Sequence, residues 1–302
     1  MSSTKATSFN LHVPDGLTLN GCVWKNDAPT AVILFMHGIE SHLGWFQDAG
    51  TALCEAGYTV YAIDRRGSGH SEGVPGHMGS FRDVVGDMRK FVDHVKKRES
   101  SDLDLIALGL SLGSNFWSSY SILHPDSIDG IVMVGPGIKP RVGVSLGRRL
   151  WILGHAFLSP KTLFPIPIRD DMFTANPAFK TFLASDSLRR KTATARFFLE
   201  LLKMQRFLST QAGRLRLPLH VILAGNDTII DNDGVVRWVQ KTGSEQTSIL
   251  EYEGAYHSLQ FELPSGELAG AIVAGIQAWK RKEATKAPDV SVVKTRTEYV
   301  RE

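Results

Sequence analysis

Two cysteines, Cys22 and Cys54, are all that the 302 residues contain. Two thiols make no disulfide framework. Each falls in an apolar stretch, where a buried free thiol is expected rather than redox or metal chemistry. No apolar run reaches the roughly 20 residues that cross a bilayer. Residues 1–10 lack the charged start and apolar core of a secretory leader, so a cytoplasmic location is expected. Nucleic-acid motifs and interleaved aromatic and basic residues are missing, which leaves no nucleic-acid partner to expect. Repeats are missing as well. What remains is an ordinary globular composition, 43% apolar and 22% charged, long enough for one large domain with an insertion.

Net charge is also scarce, at +3, but unevenly spread. Residues 139–216 hold fifteen Lys/Arg against four Asp/Glu, so the remainder carries −8. A middle segment this basic needs its own account.

The first 25 residues read as a hairpin turned at Pro14-Asp15-Gly16. Residues 31–36 and 58–63 are continuous apolar runs, the pattern of strands buried on both faces. Helical patterns occupy residues 45–56 and 81–97, the second with apolar positions at Phe81, Val84, Val85, Met88, Phe91, Val92 and Val95. Strands follow at 103–108 and 130–134. Regular alternation of strand and helix predicts a mostly parallel sheet covered by helices. The rhythm breaks at Gly135-Pro136-Gly137 and resumes with strand 219–223, helix 233–241, strand 248–252 and helix 266–280. Some eighty residues between the breaks show helical and irregular pattern without a strand, too long for a plain connection. The division expected is a core of 1–135 and 217–280, an inserted cap of 136–216, and a mobile, charged tail of 281–302.

Gly109-Leu110-Ser111-Leu112-Gly113 carries the chemistry. It is a G-x-S-x-G between a strand and a helix, the setting of a nucleophile elbow. The glycines let the chain bend sharply and let neighbouring elements approach. A serine hydroxyl is a weak nucleophile near neutrality. It needs a base within hydrogen-bond reach, and that base needs an orienting carboxylate. In a parallel sheet both should follow the C-terminal ends of strands, carboxylate before histidine in chain order. Ala224-Gly225-Asn226-Asp227 and Glu253-Gly254-Ala255-Tyr256-His257 meet that requirement. Asp231 and Asp233 are rivals to Asp227, and Asp233 reads more naturally as the cap of the following helix. The oxyanion donors expected are the backbone N–H groups of Leu112 and of Ile39, in the loop His37-Gly38-Ile39-Glu40. Gly38 allows close approach there, and His37 reads as support for the turn. Arg65-Arg66 reads as support for the sheet end.

These pieces, with His42 and Gly44, the loop Asp64 to Gly73 and Glu262-Leu263-Pro264, resemble the α/β-hydrolase superfamily. Within it the chain is most similar to the monoacylglycerol lipase and lysophospholipase group, also labelled serine aminopeptidase-like. The resemblance spans about residues 17–280. It implies an α/β-hydrolase fold, with a mostly parallel eight-stranded sheet flanked by helices and a mainly helical inserted cap. It implies Ser111 as nucleophile, Asp227 as acid and His257 as base, with no cofactor and no metal. The chain departs from the group's pattern at Leu110, Leu112 and Ser114, where histidine, methionine and glycine are usual. Ser41 also separates Glu40 from His42, which the group usually places together.

The cap reads as a lid with an apolar inner face for an acyl chain and basic residues outside, facing anionic lipid. Arg189, Arg190 and Lys191 read as one solvated helical face. The activity expected is hydrolysis of carboxylic esters with an apolar acyl group, of monoacylglycerol or lysophospholipid type, through an acyl-enzyme. Acyl transfer, peptidase or thioesterase chemistry on the same triad, and a non-catalytic ligand-binding module, are the alternatives. A peptidase would favour carboxylates near the site to receive a cationic N-terminus, and the cap has only Asp170, Asp171, Asp186 and Glu200.

Overall fold

The computed structural model describes residues 5–282 and 292–296. The chain begins with an antiparallel hairpin of β1 (Thr7–His12) and β2 (Thr18–Trp24), turned where Gly16 takes φ +89°. β3 (Ala31–Met36), α1 (Gln47–Glu55), β4 (Tyr58–Ile63), α2 (Phe81–Lys96), β5 (Leu105–Leu110), α3 (Leu112–Leu123) and β6 (Gly130–Val134) follow. A 3₁₀ turn, Leu43–Phe46, leads into α1. Before the sheet resumes come α4 (Leu146–Leu158), β7 (Leu163–Pro165), α5 (Pro177–Ser185), β8 (Thr192–Thr194) and α6 (Ala195–Gln211). The chain then returns through β9 (Leu219–Ala224), α7 (Asn232–Val239), β10 (Thr247–Glu253), α8 (Leu259–Glu262), α9 (Ser265–Lys282) and β11 (Val292–Arg296).

Among the described residues nine strands make one sheet in the order β1-β2-β4-β3-β5-β6-β9-β10-β11. Pairing is parallel from β4 onward, and β2 meets β4 antiparallel. The fold is that of an α/β-hydrolase. Apolar runs become strands with both faces covered. β3 sends Val32, Leu34 and Met36 to the layer of α2 and α3, and Ile33 and Phe35 to the layer of α1 and α9. Burying each such side chain contributes about 2 kcal/mol. α2 shows how sequence sets an element: Ser80 caps it by accepting from Arg82 N–H, and its apolar stripe is buried. Cys22 and Cys54 are free buried thiols in the layer of α1 and α9.

Three expectations need correction. The segment between β6 and β9 was expected to lack strands, yet β7 and β8 pair antiparallel through Leu163–Thr194, Phe164–Ala193 and Pro165–Thr192. The sheet has nine strands rather than eight, because β11 joins β10 within the stretch expected to be a mobile tail. The rest of that tail, after the end of α9, lies outside the described residues. Arg189 lies on no helical face. It sits in the turn before β8 with its side chain only 1% exposed.

Candidate active site

Ser111 stands between β5 and α3 with φ +50° and ψ −115°, a left-handed conformation rare for a residue with a side chain. The flanking glycines explain how the turn fits. A Cβ at position 109 would lie 2.4 Å from Ser114 N, and one at 113 would lie 2.1 Å from Met36 O. The helix therefore folds back on its own strand and against the end of β3, and only glycine leaves room. Backbone hydrogen bonds fix the serine. Its N–H donates to Val134 O (2.9 Å), and its carbonyl accepts from Gly137 N (3.0 Å) and Ser114 N (3.1 Å). Ser114, where the group usually has glycine, is buried, and its hydroxyl donates to Gly109 O (2.8 Å).

Asp227 and His257 are brought together by two loops that bond to each other. Gly225 N donates to Tyr252 O, Asn226 N to Ala255 O, and Asn226 Nδ2 to Gly254 O. Asp227 Oδ1 accepts from Ile229 N (2.8 Å) and Ile230 N (2.9 Å), leaving Oδ2 for the imidazole. His257 Nδ1 lies 2.7 Å from that Oδ2, and Nε2 lies 3.0 Å from Ser111 Oγ. With the ring neutral, Nδ1–H donates to the carboxylate and Nε2 accepts the serine hydroxyl. The rivals lie elsewhere. Asp231 pairs with Arg141 (3.7 Å) and Arg237 (3.4 Å). It, rather than Asp233, takes the N-cap position of α7, and Asp233 sits in the helix's first turn.

The loop after β3 closes the site from the other side. His37 is fully buried, accepts Arg65 N–H on Nε2 (2.9 Å) and donates from Nδ1 to Gly38 O (2.9 Å). Burial, and then the nearby Arg65 guanidinium, push its imidazole well below the ordinary range. Both ring nitrogens are thus engaged within the turn. Arg66 forks onto Asp87 with two bonds of 2.6 Å, joining the loop after β4 to α2.

Ile39, Ser111 and Leu112 line a cavity of about 430 Å³, walled by apolar groups that include Val142, Ile152, Ile166, Phe198 and Ile230. A smaller cleft that also reaches Ser111 is lined by Gly38, Trp45, Phe173 and Gln260. The walls of both come in part from the segment between β6 and β9.

That segment is tied to the site by pairings the sequence did not foresee. Arg189 donates from Nε to Glu40 Oε2 (2.7 Å), both side chains being 1% exposed, and reaches Asp170 (2.8 Å). Arg190 N–H donates to Glu40 O. Burial pushes the Glu40 carboxyl up to about 7 against the pull of Arg189. Asp186 accepts from His42 Nε2 and Trp45 Nε1. Glu262, in α8, accepts from Tyr256 N beside His257 and from Thr174 and Ala175 in the segment. No spacing rule links Glu40 to a partner 149 residues away. The Glu40-to-His42 stretch of the loop was the one available signal.

A family model described as serine aminopeptidase, S33, matches residues 27–264. The chain is 27% identical over 248 residues to phospholipase YtpA of Bacillus subtilis, covering 81% of this chain and 93% of that one. It is 26% identical to the monoacylglycerol lipase of Mycolicibacterium smegmatis over 264 residues, 85% and 90% of the two chains. Among solved structures, a soluble variant of Saccharomyces cerevisiae monoglyceride lipase with a substrate analogue superposes with a TM-score of 0.80. Its identity is 18%, with 95% and 97% of the chains covered.

Proposed function

Because the chain belongs to the serine aminopeptidase, S33, family, we propose that it cleaves carboxylic esters with an apolar acyl group, of monoacylglycerol or lysophospholipid type. It is a serine ester hydrolase of the α/β-hydrolase fold. The proposed chemistry rests on one observation, the unbroken line of hydrogen bonds from Asp227 through His257 to Ser111.

In this reading Ser111 Oγ attacks the ester carbonyl while His257 Nε2 takes its proton. Asp227 holds the tautomer and stabilises the imidazolium. The N–H groups of Ile39 and Leu112 stabilise the developing oxyanion; such donors are worth about 3 kcal/mol each. The imidazolium then protonates the leaving alcohol, and water activated by His257 releases the acid. The apolar cavity beside Ser111 takes the acyl chain, its volume being in the range of small-molecule sites, about 300–1,000 Å³.

Residues 136–216 act as a cap over the cavity. Its outer surface exposes Leu146, Leu150, Trp151, Phe157 and Leu158 on α4 beside Arg148 and Arg149. That mixture suits peripheral contact with anionic lipid surfaces. No helix among the described residues is long and apolar enough to cross a membrane. The two free thiols are in keeping with the cytoplasmic location expected from the sequence.

Ester rather than peptide cleavage is favoured by where the cap's carboxylates go. Asp170 pairs with Arg189, Asp171 with Arg169, Asp186 with His42, and Glu200 with Lys203. A cationic peptide N-terminus would have to displace one of these partners.

The test combines a fluorophosphonate probe with p-nitrophenyl esters of increasing chain length. Native protein should label at Ser111 and turn over. Ser111→Ala should lose all labelling and at least about 10⁴-fold in turnover while melting as the native protein does. Labelling at another residue, or a variant that still hydrolyses, would overturn the assignment.

A further inference from the structure

Arg65 is a buried cation in an unusual place. It follows β4, is 4% exposed, and joins no ion pair among the described residues. Asp64 beside it is committed elsewhere, accepting from Leu43 N, His70 N and Asn20 Nδ2. The guanidinium instead donates from Nη1 to Gly38 O (3.1 Å) and from Nη2 to Ile39 O (3.3 Å) and Ser68 Oγ (3.0 Å). Its carbon lies 5.7 Å from the Phe116 ring centre and 5.9 Å from that of Phe197. Burial pulls this guanidinium down to about 10. Desolvating a charge with no carboxylate in direct contact is costly, and the attraction of neighbouring Asp64 offsets burial only in part, so a purpose other than stability is the natural reading.

The two carbonyls indicate the purpose. A trans peptide is planar, and its C=O and N–H point in opposite directions; the described residues contain no cis bond. With the Gly38 and Ile39 carbonyls both turned toward Arg65, the N–H groups of Ile39 and Glu40 must face away from it. Gly38 and Ile39 line the cleft at Ser111. The peptide between them is also the one most in need of restraint. A Cβ at 38 would press on Ser41 Oγ at 3.3 Å and Ser111 Cβ at 3.4 Å, so glycine stands there, and glycine offers the least resistance to peptide rotation. His37 Nδ1 holds the same Gly38 oxygen. A cation bonded to a peptide oxygen also polarises the N–H at the other end of that peptide.

We propose that Arg65 is a positioning residue that locks the Gly38–Ile39 peptide so that its N–H is aimed at, and polarised toward, the oxyanion formed at Ser111. This rests on the reading of Ile39 N–H as an oxyanion donor. The guanidinium touches neither substrate nor reacting atoms. It acts through the peptide and is felt only when negative charge develops.

The experiment uses the full chain with Arg65→Gln and Arg65→Lys. Active sites are titrated with the fluorophosphonate, kcat and KM are measured on p-nitrophenyl butyrate, and affinities are measured for a trifluoromethyl ketone and for butyrate. The ketone forms a tetrahedral oxyanion on the serine; butyrate does not. Arg65→Gln should lower kcat per titrated site about 30-fold with KM within about twofold, part of the loss expected for removing a donor outright. Ketone affinity should fall by a similar factor while butyrate affinity holds. Arg65→Lys keeps the charge but reaches one carbonyl instead of two, and should lose about tenfold. A merely structural arginine would change the melting temperature or the number of titratable sites, not kcat per site. Should Arg65→Gln fail to fold, the lysine variant decides. Kinetics and ketone affinity within twofold of native in either soluble variant would overturn the proposal and leave the functional reading intact. Native protein that neither titrates nor hydrolyses would defeat that reading, and this proposal with it.

Discussion

The rim of the sheet and the segment between β6 and β9 solve opposite problems. At the rim, polar groups are buried or half-buried and each is held by backbone or by a neighbour: His37 by Gly38 and Arg65, Asp227 by Ile229 and Ile230, Ser111 by Val134 and Gly137. In the segment, large apolar groups face outward, with Phe157 72% and Leu158 86% exposed. The rim's polar groups are thus tied down by hydrogen bonds, while the segment leaves large apolar side chains in solvent. The seam between them is polar: the buried Glu40–Arg189 pair, and Asp186 with His42 and Trp45. Such a pair contributes little net stability, yet without Arg189 the buried Glu40 carboxyl would be stranded, whereas Arg189 keeps Asp170 as a second partner.

The sharpest way to break this contrast is to disturb the rim by one methyl group. A Cβ at Gly137 would lie 3.3 Å from Leu112 N and 3.4 Å from the Ser111 carbonyl carbon, in the space proposed for the oxyanion. Gly137→Ala should lower kcat about a hundredfold with little change in melting temperature. Unchanged kcat would show that the hole lies elsewhere.

Acid should strain the sheet region more than the segment. His220 in β9 is buried, its Nδ1 lies 2.8 Å from Ser248 Oγ, and burial lowers its imidazole to about 4. A depressed folded value means stability that is present above the unfolded value near 6.5 and is lost as pH falls toward 4. From pH 7 to 5 the loss at this one group is about 2 kcal/mol. Urea midpoints at the two pH values should record it, and His220→Gln should shrink the difference by that amount, with the fully buried His37 keeping its own share. An equal slope in the variant would place the acid-labile group elsewhere.

The smallest effect sought is on the outer face of α4. Leu150→Ser with Phe157→Ser should leave turnover of p-nitrophenyl butyrate within about twofold of native. Binding to phosphatidylglycerol vesicles, read by sedimentation, should weaken several-fold. Vesicle binding equal to native would remove the lipid-facing role from this helix.

What the sequence makes legible follows from which forces act locally. Continuous apolar runs placed β3, β4, β5 and β9 because double-sided burial leaves a compositional trace. Strand-end position and chain order singled out Ser111, Asp227 and His257, and these side chains lie within hydrogen-bond reach of one another. Features fixed by distant partners left no such trace. Arg189 sits in an Arg-Arg-Lys run that looks solvated, and only the folded loop reveals Glu40 beneath it. β7 and β8 are three residues each, too short for any period to show. β11 is a strand because β10 offers an edge, with Lys294 and Arg296 facing Glu251 and Glu253. The cap position of α7 fell to Asp231 instead of Asp233 because the helix starts at Asn232, two residues earlier than a cap at Asp233 requires.

The left-handed turn at Ser111 sets durability against chemistry at a single position. Glycine would sit there with less cost, since it alone accepts that backbone angle freely. A lineage screened only for endurance to heat would therefore drift toward glycine at 111 and lose the nucleophile proposed there. The hydroxyl persists there only while turnover is itself under selection.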